Sequence, residues 1–102
     1  MKKIPLDQLV SEYFFRAVKI VVNSKYQPEG YLIGIKLPYD NMLMLYMVPQ
    51  KHVEKYIKSG NKNWMEIVPY EMIKEISIVS GYEEKEESLK YSYEQRMEEM
   101  FK

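Results

Sequence analysis

A chain of 102 residues has room for one domain with one core, and an apolar fraction of 46% with ten tyrosines excludes a disordered segment. The absence of cysteine excludes disulfide frameworks, thiol chemistry and cysteine-ligated zinc. Formal net charge is zero, yet the last twenty residues carry seven acids against four bases, which leaves about +3 on the body before Glu83 and excludes nucleic-acid binding by bulk charge alone.

No apolar run approaches the roughly 18 residues of a membrane span, and Met1-Lys2-Lys3 leads into Ile4-Pro5-Leu6-Asp7 without a signal-peptide apolar core. The expectation is an untargeted, soluble, cytoplasmic protein. Leu6, Leu9, Val10, Tyr13 and Phe14 then recur at helical spacing behind Pro5, with Asp7 placed to suit the positive end of a helix dipole. A short N-terminal helix follows from that pattern.

The β-branched run Ala17 to Val22 predicts a first strand, closed by turn chemistry in Asn23-Ser24-Lys25 and Gln27-Pro28-Glu29-Gly30. Tyr31 to Leu37 predicts a second strand, bent at Gly34, and Pro38-Tyr39-Asp40-Asn41 a hairpin turn into a third, Met42 to Val48. Between Pro49 and Asn63 the spacing of Val53, Tyr56 and Ile57 predicts one or two helical turns in a lysine-rich insertion, stopping at Gly60. Trp64 to Val68 and Ile73 to Val79 predict strands four and five. The charge run Glu83 to Glu87 is expected as a hinge. Beyond it, Leu89, Tyr93, Met97, Met100 and Phe101 mark the apolar stripe of an amphipathic tail helix. The fold class expected is mainly β.

Pro5-Leu6-Asp7-Gln8-Leu9 ahead of a strand, and Glu29-Gly30-Tyr31-Leu32-Ile33-Gly34 as strand two, resemble the opening of the archaeal Sm-like (LSm) chains. Tyr39-Asp40-Asn41 before Met42-Leu43-Met44-Leu45 resembles the end of that family's first motif. The second motif, apolar-Arg-Gly-Asp, falls on Val68-Pro69-Tyr70-Glu71, where Glu71 alone approximates it and Pro69 neither stacks nor donates as arginine does. The resemblance implies a small, five-stranded, strongly bent SH3-like or Sm-like barrel over residues 1–82, carrying the N-terminal helix and the insertion at 49–63, with residues 83–102 as a C-terminal amphipathic helix. It implies a homo-oligomer closed as a hexamer or heptamer ring, and single-stranded RNA as partner.

In that setting Tyr39 is expected to stack on a base, Asn41 to hydrogen-bond its edge and Lys36 to meet phosphate. Residue chemistry alone reads the same four residues, Pro38 to Asn41, as a hairpin turn. Lys51, Lys55, Lys58 and Lys62 read as a solvated surface or as phosphate contacts. Trp64, Met42, Met44, Met47 and Met65 read as core or interface.

Sole among histidines, His52 lacks neighbours at ligand spacing, and Asp40, Glu66 and Glu71 show no convergent spacing, so no metal, cofactor or enzyme activity is expected. The tail stripe of Leu89, Tyr93, Met97, Met100 and Phe101 is expected to be buried against its own barrel or a protein partner. The competing expectation is a non-catalytic SH3-like interaction module that recruits a partner through the tail helix or a strand edge.

Overall fold

The computed structural model describes residues 4–39 and 42–100. Helix α1, Leu6–Tyr13, starts where Pro5 presets the backbone, with the Leu9 N–H bonded to the Pro5 carbonyl at 2.9 Å. It ends at Phe14, and Phe15 then takes a left-handed conformation, φ 63°, with its N–H on the Leu32 carbonyl at 2.8 Å. That sharp reversal delivers the chain into the first strand.

Strands β1 (Ala17–Val21), β2 (Glu29–Tyr39), β3 (Met42–Pro49), β4 (Glu66–Pro69) and β5 (Glu75–Ile78) form one antiparallel sheet in the order β4-β3-β2-β1-β5. The β1–β2 turn is closed by the Asn23 side chain, which accepts from the N–H groups of Lys25 and Tyr26 at 2.8 Å each. Gly30 is demanded by packing: a Cβ there would lie 2.3 Å from the Val48 carbonyl oxygen on β3. The β2–β3 register shifts between Leu32 and Gly34, where an extra residue turns the strand.

After β3 a 3-10 turn, Gln50–His52, leads into helix α2, Val53–Ser59, which closes on Gly60 at φ 67° with the Gly60 N–H on the Tyr56 carbonyl at 2.7 Å. A second 3-10 turn, Lys62–Trp64, is capped by Asn61, whose side chain accepts from the Asn63 N–H at 2.8 Å. Trp64 and Met65, expected in strand four, therefore precede it. A third such turn, Tyr70–Met72, joins β4 to β5, and helix α3 runs Glu83–Met100.

The sheet is apolar on both faces. One buries Val18, Ile20, Leu32, Leu45, Met47 and Val68 beneath Leu9 of α1. The other buries Ala17, Tyr31, Ile33 and Val48 beneath Val53 and Tyr56 of α2 and Leu89 of α3. Helices and 3-10 turns together hold more residues than the strands do, so the chain is mixed α/β instead of mainly β. The difference arises because α3 takes in the expected hinge and three 3-10 turns occupy the connections.

The expected hinge at Glu83 to Glu87 is the first turn of α3, where acids suit the helix dipole. Glu86, 8% exposed, accepts from the Ala17 N–H at 2.7 Å and pairs with Arg16 at 3.3 Å. Farther along, Arg96 and Ser92 both donate to the Ile57 carbonyl near the end of α2, at 2.7 and 3.1 Å. Lys85 pairs with Glu54 of α2 and holds that carboxyl below its ordinary range by hydrogen bonding. Polar groups at both ends thus fasten α3, although among its described apolar side chains only Leu89 is fully buried.

Candidate functional site

Two connections converge on one end of the sheet. Lys36 of β2 pairs with Met44 of β3, which pairs with Pro69 of β4, and the 3-10 turn Tyr70–Met72 continues from there. The end of β2, the start of β3 and the β4–β5 connection therefore share this end. Tyr70 donates its hydroxyl to the Ile4 carbonyl, tying the connection to the segment before α1. Met42 and Met72 are exposed, Lys36 and Met44 half-buried, and Glu71 exposed.

Of the expected RNA contacts, the structure places Lys36 here. Tyr39 ends β2 opposite Met42, its side chain lying outside the description, and Asp40 and Asn41 lie outside the described residues. Glu66 sits at the far end of β4, where it accepts from the Tyr26 hydroxyl at 3.4 Å, so Glu66 and Glu71 do not converge. Burial, followed by Glu66, pushes the Tyr26 hydroxyl pKa upward.

The insertion lysines do not join Lys36 in a single stripe. Lys51, Lys55, Lys58 and Lys62 are exposed along α2 and its flanking turns, over the helix-covered face. The Lys55 ammonium lies 4.6 Å from the Trp64 ring centroid, and the His52 ring packs 5.0 Å from the same indole. His52 Nδ1 is buried without a hydrogen-bond partner among the described residues. Among the described residues no group of three histidine or acidic side chains is placed to hold a metal, and no helix is long and apolar enough to cross a membrane.

The tail stripe is largely used inside the chain. Leu89 is fully buried, Tyr93 packs its ring 5.2 Å from Phe15, and Met97 is half-buried. The side chain of Met100 and all of Phe101 lie outside the description. Sequence reasoning passed over Glu86 and Arg96, the polar members of this stripe. Their spacing from Leu89 and Tyr93, by three residues each, was the available signal.

A strand edge was among the expected partner surfaces, and the sheet has two. Among the described residues β4 pairs only with β3, and β5 only with β1. Each edge strand is four residues long and exposes an isoleucine, Ile67 at 40% and Ile78 at 44%. Such edges carry unpaired backbone N–H and C=O groups beside apolar side chains, the combination that invites another strand. No family model, no curated protein and no solved structure matches this chain.

Proposed function

We propose that this chain is a non-catalytic Sm-like subunit whose sheet curls into a small SH3-like barrel and whose copies join head to tail, β4 of one against β5 of the next, into a cytoplasmic hexamer or heptamer ring. Single-stranded RNA is its ligand, with Tyr39 stacking on a base, Asn41 meeting the base edge and Lys36 meeting phosphate. The observation that carries the assembly is the strand order β4-β3-β2-β1-β5, which leaves two short edges, each with one exposed isoleucine. Pairing of two different edges is heterologous, and such contacts close into rings when the rotation per copy allows. The observation supporting the ligand is that Lys36 near the end of β2, the start of β3 and the β4–β5 connection lie at one end of the sheet.

The test is the absolute mass in solution by light scattering on a sizing column, with absorbance at 260 and 280 nm. Six or seven times the 12.3 kDa chain mass is expected, with an elevated 260 nm signal from bound RNA. Ile67→Lys, on an exposed position of β4, is expected to give folded monomers. A wild-type monomer free of nucleic acid refutes the reading.

That second outcome favours the interaction module, which one observation supports: the end of the sheet that carries Lys36 and Glu71 also exposes Met42 and Met72, a surface suited to an apolar peptide. Removing the tail does not separate the two readings cleanly. Without Leu89 and Glu86 the Ala17 and Tyr31 region loses its cover.

A further inference from the structure

A cleft of about 240 Å³ opens where α2 and α3 meet the sheet, its Tyr46 paired with Ile67 of the β4 edge. Tyr46 of β3, Tyr56 of α2 and Tyr93 of α3 line it with Met65, and Lys62 stands at its wall. No acidic residue contributes to the lining. None of the three tyrosine hydroxyls has a hydrogen-bond partner among the described residues, and Lys62 has no ion pair there. The Arg96 guanidinium lies 5.8 Å from the Tyr56 ring centroid and adds positive potential behind that wall.

The floor of the cleft is Gly34. Its φ is not left-handed, and a Cβ there would meet only the Tyr46 ring, at an ordinary 3.6 Å. Neither backbone conformation nor packing requires glycine at this position, in contrast to Gly30, where a Cβ would strike backbone. What the missing side chain does at Gly34 is leave the cleft open.

Flat π faces, apolar walls and a lining that holds three tyrosines and a lysine but no acid suit a flat anion. The volume falls below the roughly 300 Å³ at which sites for drug-sized ligands begin. One or two fused rings fit that space, whereas a nucleotide with its sugar exceeds it. We propose that the cleft binds a small aromatic carboxylate, its ring held among Tyr46, Tyr56 and Tyr93 and its acid on the Lys62 ammonium and the tyrosine hydroxyls.

The cleft is built within one chain, so its test does not depend on ring formation or RNA binding. Full-length protein is titrated with indole-3-carboxylate, and with indole and uridine monophosphate for comparison, following backbone amide NMR shifts. Saturable shifts are expected at Gly34, Gly60 and Tyr93, with the carboxylate binding about tenfold tighter than indole, the worth of one charge-assisted contact. Lys62→Ala is expected to erase that preference. Gly34→Val is expected to abolish binding. Tyr46→Phe keeps the ring, removes one donor and is expected to weaken binding severalfold, which maintains the test if the valine variant does not fold. No saturable shift at millimolar carboxylate, equal binding of indole, or indifference to both Lys62→Ala and Tyr46→Phe overturns the proposal. Tighter binding of uridine monophosphate overturns its ligand class.

Discussion

Glu86→Ala removes the carboxylate that fastens α3 to the first residue of β1. Ala17 is fully buried, so its N–H, now bonded to Glu86 at 2.7 Å, would lose its acceptor where water does not reach it. An unsatisfied buried amide costs about 1–3 kcal/mol. The ion pair to Arg16 adds less than about 1 kcal/mol because the Arg16 side chain is 44% exposed and screened. The expected loss is therefore about 2–3 kcal/mol in urea unfolding, or roughly 10–20 °C in Tm for a domain of this size. Glu86→Gln keeps a carbonyl acceptor for Ala17 and loses only the ion pair, so its expected cost is about 1 kcal/mol. Amide hydrogen exchange at Ala17 locates the effect: fast in the alanine variant, near wild type in the glutamine variant. If the alanine variant is within about 0.5 kcal/mol of wild type, or the two variants are equally damaged, the backbone clasp is not what holds α3.

Gly60→Ala is expected to cost about 2–3 kcal/mol: φ 67° disfavours a side chain by about 1–2 kcal/mol, and the new Cβ would fall 2.3 Å from Arg96 Nε, pushing that side chain off the Ile57 carbonyl. In a denaturation double-mutant cycle with Arg96→Ala the two costs are expected to be less than additive, and strict additivity would separate them. Burial raises the Tyr31 hydroxyl pKa to about 12. Because the folded value exceeds the unfolded value of about 10, this group's contribution to stability is complete below pH 10 and is lost as pH rises through 12. Absorbance titration at 295 nm should show Tyr26, Tyr31 and Tyr56 ionising above the ordinary range, with the latest step lost in Tyr31→Phe.

Strand positions were legible because their cause is local. The runs Ala17 to Val22 and Met42 to Val48 are β-branched or apolar and bounded by turn residues, and both are strands with boundaries within a residue of expectation. Gly60 likewise marked the end of α2 correctly, since only a left-handed residue closes the helix there. Trp64 was misplaced because its indole reads as strand chemistry, while its backbone is set by the Asn61 cap three residues earlier. Glu86 was legible only in part: its spacing from Leu89 sets it beside the buried face of α3, but nothing local names the Ala17 amide as its partner. The expected bend at Gly34 lies at a register shift, but the open cleft beside it depends on α2 and α3, which arrive from distant sequence.

The apolar character of both faces of the sheet has a consequence for how the chain finds a single alignment. Where one face is wet, sliding a strand by one residue exposes its greasy side chains and is rejected on hydration grounds. Here a slip of β2 would exchange Leu32 with Tyr31 or Ile33, one oily residue for another, and hydration would object little. Alignment has to come from features that tolerate no translation: the bare Gly30 against Val48, the extra residue before Gly34 and the Glu86 carboxylate fixed on the Ala17 amide. Variants at these three positions should shift the chain towards mispaired, aggregation-prone forms before they weaken its hydrophobic core.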